Sequence, residues 1–289
     1  MHGQTPPQSI AIIAPAALPE AINEAQEICA FLIQQGIHCD WGELFDEDLR
    51  RRIKAREFQL LIVVGGDGTM LRAGHFSAPL DIPIMGVNMG RFGFLYEIQR
   101  NEWQNIVPKL LNGEYWVEKR MMLKATLLHP DRIGGEWQVV NDVVVARGSV
   151  VRPVELTAYV DGCLLTSFIA DGLIAATATG STAYALAAGG PILPPEVRNI
   201  LIVPVAAHLS VDRAIVLAEG VTVGILVSTQ HEAVLSIDGQ DPIPLANGDK
   251  VQVTASEHSL SFIRFQDAGY FYRNLVPYMG KNHSTVSNR

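Results

Sequence analysis

Apolar runs alternating with amphipathic stretches organise the first hundred residues. Ile10-Ala11-Ile12-Ile13-Ala14 and Leu60-Leu61-Ile62-Val63-Val64 are short, unbroken runs of apolar residues, and Ile82-Pro83-Ile84-Met85-Gly86-Val87 is a third with an internal proline. Runs without polar interruption mark strands buried on both faces, as in a parallel sheet. Between them, Glu20 to Gln35 has helical periodicity ending at Gly36, and Thr69 to Phe76 reads as a helix with a threonine near its start. A further helix spans about Glu102 to Leu111 and ends at Asn112-Gly113.

The pattern then changes. Met121–Leu128, Gln138–Ala146, Val154–Val160, Cys163–Phe168, Ala214–Leu217, Val221–Val227, Ala233–Ile237, Val251–Val253 and Ser259–Phe265 are strand-like. Turn pairs such as Asp161-Gly162, Asp238-Gly239 and Asn247-Gly248 separate them. One helix-compatible insertion, Ser181 to Ala188, interrupts the series. These signals predict an α/β N-terminal domain with a parallel sheet plus a mostly antiparallel, β-sandwich-like C-terminal domain. The expected boundaries are 1–115 for the first and 116–267 for the second. The aromatic segment from Ala268 to Gly280 returns to the first domain within 268–289, and the polar tail from Lys281 is expected to be loose.

Composition narrows the function classes. With 289 residues, 48% of them hydrophobic and 18% charged, the chain can bury a large core. A net charge of −8 without a basic block argues against a nucleic-acid partner. No apolar run is long enough to span a membrane, so no membrane partner is expected. Three cysteines, Cys29, Cys39 and Cys163, lack metal-ligand spacing and fit a reducing, cytoplasmic setting.

Chemistry concentrates in two glycine clusters. Gly65-Gly66-Asp67-Gly68-Thr69 directly follows the apolar run 60–64, at the carboxyl edge of a sheet where open α/β folds bind ligands. Glycines permit unusual φ/ψ values and let a phosphate chain approach backbone N–H groups. Asp67 is placed to hold a metal or to accept a proton from a hydroxyl being phosphorylated. A plain Asp-Gly hairpin turn is the alternative, but the helix that follows disfavours it. The second cluster runs from Asp171-Gly172 through Thr179-Gly180-Ser181-Thr182-Ala183-Tyr184 to Gly189-Gly190. Its hydroxyl-rich helix start offers N–H and O–H groups to a ligand, and Tyr184 offers a stacking face. Read alone, it is as consistent with an ordinary capped helix. No P-loop, dinucleotide G-x-G-x-x-G or G-x-S-x-G elbow is present.

Taken in order, these clusters make the chain resemble the NAD kinase family. The likeness also rests on Gly86-Val87-Asn88-Met89-Gly90-Arg91-Phe92-Gly93-Phe94-Leu95, Arg120-Met121-Met122-Leu123, Val140-Asn141-Asp142-Val143-Val144, His208, Arg213 and Asp238-Gly239-Gln240. The first glycine block is shared with lipid kinases, whereas the Thr-Gly-Ser-Thr-Ala-Tyr block is far more specific. The resemblance implies phosphorylation of the adenosine-ribose 2′-hydroxyl of NAD by ATP or polyphosphate to give NADP, with Mg2+ bridging the donor phosphates.

By the same resemblance Asp67 is the general base and Gly68 with its neighbours cradles phosphates. Asn141 and Asp142 hold the dinucleotide, while Thr182, Ala183, Tyr184 and Ala187 recognise an adenine-containing moiety. Asp171 meets the nicotinamide side, and Arg72, Arg152 and Gln240 line the site. His208 and Arg213 stay outside the assigned site. A homodimer or homotetramer is implied by the family alone. The chain departs from the family in having Asp142 for glutamate, Ala187 for serine, Phe92 for leucine and Ile169 where a basic residue or glycine is frequent, which leaves NAD against NADH open. Two rivals are a lipid kinase, which gives no reason for residues 179–184, and a nucleotide-binding regulator, which need not keep Asp67.

Overall fold

The computed structural model describes residues 4–90, 93–150, 152–207 and 212–275. Arg91, Phe92, His208 and the tail from Lys281 lie outside the described residues. The chain divides into two compact units, residues 1–119 with 260–289 and residues 120–259. Strands β6 (Trp116–Leu128) and β17 (Lys250–Arg264) have residues in both. Among the described residues no helix is long and apolar enough to cross a membrane.

In the first unit the chain runs β1 (Ser9–Ala14), α1 (Pro19–Gln34), β2 (His38–Glu43), α2 (Glu47–Lys54), β3 (Leu60–Gly65), α3 (Asp67–Ser77), β4 (Ile84–Asn88), β5 (Ile98–Gln99) and α4 (Trp103–Leu111). Strand β3 is central and lies parallel to both neighbours, with Ile62 opposite Ile12 of β1 and Met85 of β4. All six of its residues are buried. Ile10, Ile12, Leu60, Ile62 and Val64 pack with Ile28 and Leu32 of α1 and Val107 and Leu110 of α4. Strand β2 and helix α2, absent from the sequence reading, are polar elements. Half-exposed β2 is the sheet edge, and α2 places only Leu49 and Ile53 inward.

The C-terminal chain is tied into this unit by a buried ion pair. Arg264, 2% exposed, donates from Nε to Glu118 Oε2 at 2.8 Å and from Nη1 to the Leu95 carbonyl at 3.1 Å. Tyr270 donates its hydroxyl to the same Glu118 carboxylate, and its ring and that of Phe262 face the guanidinium.

The second unit contains β7 (Ile133–Val139), β8 (Asp142–Arg147), β9 (Val154–Val160), β10 (Cys163–Ala170), β11 (Gly172–Ala176), α5 (Tyr184–Ala187), β12 (Asn199–Val205), β13 (Ile215–Ala218), β14 (Val223–Ser228), β15 (Ala233–Ile237) and β16 (Ile243–Leu245). Strands β10, β9, β14 and β17 pair antiparallel in that order. A second antiparallel sheet has the order β13-β12-β11-β8-β15-β16. Alternation along its central strands feeds two cores. Val143, Val145, Leu173, Ala175, Ile200 and Ile202 face the larger one, shared with Leu156, Phe168, Ile225 and Val253. Val144, Ile174, Leu201 and Val203 face a smaller one with Ala185.

Three expectations change. The run 138–146 is two strands broken at Val140-Asn141, and 251–253 with 259–265 is one strand. The insertion 181–188 is a 3-10 turn, Gly180–Thr182, followed by the single turn of α5.

Breaking the buried pair is expected to be costly, because Glu118→Ala strands the Arg264 charge without its partner. Thermal and urea unfolding should show a loss of about 3–5 kcal/mol, with much of it recovered in Glu118→Ala/Arg264→Met. A fully tolerated Glu118→Ala would show that the pair is not what anchors this segment.

Candidate active site

The first glycine cluster sits at the end of β3. Gly66 is the extended N-cap of α3 (φ −109°, ψ 178°), and Asp67 is the first helical residue. Gly65, Gly66 and Gly68 all avoid the left-handed region, so unusual backbone angles are not the reason for them. Space is. A Cβ on Gly65 would come within 2.8 Å of the Thr69 hydroxyl, whereas one on Gly66 or Gly68 would meet no protein atom. The backbone at 66 and 68 is therefore approachable from outside, at a helix N-terminus with unpaired N–H groups.

Two opposing effects act on Asp67. Its side chain reaches solvent, and the helix N-terminus favours its negative charge. The protein packed around the carboxyl group raises its pKa through desolvation. Gly93 supplies part of that packing, since a Cβ there would lie 2.9 Å from Asp67 Cγ. Buried Tyr96 donates its hydroxyl to the Gly66 carbonyl at 2.9 Å, fixing the turn from the side. Burial and the Asp67 charge hold the Tyr96 phenol well above its ordinary pKa, so it remains a donor. Arg72 is exposed, with its guanidinium 5.9 Å from the ring of Phe45.

The second unit has an open pocket of about 320 Å3 lined by Asn141, Asp142, Val144, Ala183, Tyr184, Ser236, Asp238 and Gly239. It joins three chain segments. The break between β7 and β8 places Asn141 and Asp142, the N-terminus of α5 places Ala183 and Tyr184, and the turn after β15 places Asp238. The Asp238 carboxylate accepts from the N–H groups of Val140 and Asn141 at 2.7 Å each and of Asp142 at 2.9 Å. Its own N–H donates back to the Asp142 carbonyl at 2.9 Å. On the other side, the Thr177 hydroxyl donates to the Val140 carbonyl at 2.7 Å. Gly180 packs so closely that a Cβ would lie 2.8 Å from Asn141 Cα.

Asp142 is 4% exposed, and its pKa is pushed up to about 7 by burial first and by the nearby Asp238 charge second. A hydrogen bond from the Tyr184 backbone N–H acts in the opposite direction. Tyr184 leaves 46% of its surface exposed, presenting a ring face beside the pocket.

Of the expected residues, Asn141, Asp142, Ala183 and Tyr184 therefore meet around one pocket. The remainder are placed differently. Thr182 donates its hydroxyl to the Thr179 carbonyl at 3.1 Å, and Ser181 bonds Ala178 and Leu193, so these hydroxyls serve the turn itself. Asp171 pairs with Arg147 at 3.0 Å. Arg152 lies 3.3 Å from His231 Nε2, Ala187 is exposed on α5, and Gln240 accepts at its carbonyl from Ser236. In the sequence Asp238 reads as half of a turn pair and as part of the Asp238-Gly239-Gln240 block, without an assigned role. It is that turn, at φ 48°, and also the clamp on residues 140–142.

Comparison with known proteins bears directly on both halves. Residues 45–115 match the model of the ATP-NAD kinase N-terminal domain, and residues 140–265 match the ATP-NAD kinase C-terminal domain. An NAD kinase of Dehalococcoides mccartyi is 36% identical over 283 residues, covering 98% of this chain and 99% of that protein. One from Chloroflexus aggregans is 35% identical, covering 93% and 97%. Among solved structures, yeast NADH kinase complexed with NADH superposes with a TM-score of 0.84 at 23% identity, over 96% of this chain and 89% of its own. An NAD kinase from Archaeoglobus fulgidus in complex with ATP gives 0.75 at 23% identity, over 93% and 97%. With its α/β unit, its antiparallel unit and both glycine clusters in place, the chain belongs to the NAD kinase family.

Proposed function

We propose that this chain phosphorylates the adenosine-ribose 2′-hydroxyl of NAD, with ATP as donor and Asp67 as general base. The observation that carries the reading is the Asp67 carboxyl at the first position of α3, partly desolvated and flanked by glycine backbone that no side chain covers. A carboxylate whose pKa is raised is a stronger base than a free one, which suits proton removal from an alcohol. Phosphoryl transfer otherwise needs positioning and charge stabilisation, and the open N–H groups at the start of α3 supply the latter. Gly68 contributes one of these groups, and Arg72 on the same helix supplies positive charge for the donor.

In the second unit, Asn141, Asp142, Ala183 and Tyr184 form the dinucleotide pocket, with the Tyr184 ring as the face for adenine. Thr182, Asp171, Arg152, Ala187 and Gln240 are assigned to the site through the family likeness. Magnesium fits as a cation carried by the donor's phosphates, because no group of three or more His, Cys, Asp or Glu side chains is poised to cage one among the described residues. When bound, it neutralises charge on the transferred phosphoryl group, and Asp67 is the carboxylate nearest in sequence to the loop that would meet it. A cytoplasmic location and a homo-oligomeric state complete the proposal. They draw support from the free cysteines and from the family, respectively.

Purified protein with ATP, magnesium and NAD should form NADP, and failure to do so sinks the reading. Asp67→Asn should cut kcat by roughly 10² to 10⁴ while NAD binding stays measurable by calorimetry. For the wild type, kcat should fall on acidification through a pKa above the ordinary carboxylate value, since protonation removes the base.

Asp142 makes a second pH prediction, this time for stability. Its folded pKa is raised, so its contribution is fully present below its unfolded pKa of 3.8 and is lost as pH rises through about 7. Melting temperatures of Asp142→Asn minus wild type should thus increase from pH 4 to pH 7. A flat difference would mean that the burial of Asp142 carries no such penalty.

A further inference from the structure

A carboxylate that satisfies three consecutive backbone N–H groups is an internal anion in a backbone nest, a device that fixes local conformation. Val140 and Asn141 lie between β7 and β8 without a strand partner, and Asp142 opens β8 opposite Ala176 of β11. Three further contacts fix this turn. Asp238 holds all three N–H groups, Thr177 bonds the carbonyls of Val140 and Asn141, and Gly180 packs flat on the Asn141 backbone. The second and third come from the segment that also carries Ala183 and Tyr184. Only Asp238 comes from elsewhere, and it is 96 residues or more away in sequence. Removing one N–H acceptor from a buried turn leaves the donor unpaired, which shifts the backbone. A small displacement of side chains that grip a ligand costs binding out of proportion to its size.

We propose that Asp238 is a positioning residue for dinucleotide binding, setting the backbone at 140–142 so that Asn141 and Asp142 present their side chains to the pocket before NAD arrives. The inference rests on the reading of that pocket as the dinucleotide site. Asp238→Asn is the informative change. An amide can keep its oxygen toward Asn141 and Asp142, but its NH2 then faces the Val140 N–H, donor against donor.

The test is steady-state kinetics of wild type, Asp238→Asn, Asn141→Ala and the double variant. Asp238→Asn is expected to raise KM for NAD on the order of tenfold, with kcat and KM for ATP changed by no more than about twofold. Because both changes act through one group, the double variant should bind NAD no worse than the poorer single variant. An unchanged KM for NAD in Asp238→Asn overturns the inference, as does a double variant in which the two effects multiply. A wild-type enzyme without NADP formation would instead remove the underlying reading, so the two failures are distinct. Should Asp238→Asn not fold, amide exchange on the wild type decides the matter. Protection of the 141 and 142 amides without NAD supports preorganisation, and protection that arises only with NAD overturns it.

Discussion

The first unit depends on one constraint, the complete burial of β3. A strand whose six residues all lack solvent contact needs parallel neighbours on both edges and apolar helices on both faces. Strands β1 and β4 meet the first need, and α1 and α4 contribute to the second. The strand then has one exit, at its carboxyl end, and the chain turns there into α3. A carboxylate in the next position falls at a helix N-terminus, where the dipole favours its charge. Its neighbours meanwhile shield it enough to raise its proton affinity. The Asp67 carboxyl group is thus placed by the layout of the sheet, with Gly93 and Tyr96 as the adjustments.

The two units treat their carboxylates in related ways. Asp67 is raised by desolvation alone, while Asp142 is raised by desolvation together with a like charge. In both cases the ionised form is disfavoured by the fold, so both positions weaken the folded state at neutral pH. Protein stability is only marginally positive, and such sites persist where the strained group is the useful one. The buried Arg264–Glu118 pair is the opposite arrangement, since charge there is compensated by charge. Its residues hold β6 and β17 in place and are distant in kind from any chemistry.

What was readable from the sequence follows the range of the interactions involved. Strand β3, helix α3 and Asp67 are contiguous, and an unbroken apolar run ending in glycines and a helix start announces them. The pocket residues 141, 142, 183 and 184 were reached through motif likeness, not periodicity. The clamp made by Asp238 is not legible in the sequence, because its three partners lie about a hundred residues upstream and are backbone atoms, which carry no sequence signature. That the Ser181 and Thr182 hydroxyls also bond the carbonyls of Ala178 and Thr179 is not visible in the sequence, which shows only a hydroxyl-rich helix start. Strand β12 escaped notice although its residues 200–203 are apolar throughout. Pro204 within it ordinarily argues against a strand, and here it stands opposite Leu173 of β11.

Charge decides which chemical groups each unit suits. The pocket of the second unit is lined by two carboxylates, a serine, an asparagine and a tyrosine ring, with no cationic side chain. Such a lining repels phosphate and accepts hydrogen bonds, so it favours groups such as the hydroxyls of a ribose or the amino group of an adenine. Phosphates need N–H groups and cations, and these are found at the start of α3 and on Arg72 in the first unit. A chain with a net charge of −8 can therefore act on a polyanionic substrate without a basic surface. The carboxylate-lined pocket of the second unit suits hydrogen-bond donors and the backbone-lined loop of the first suits phosphate, each built where its own fold leaves backbone uncovered.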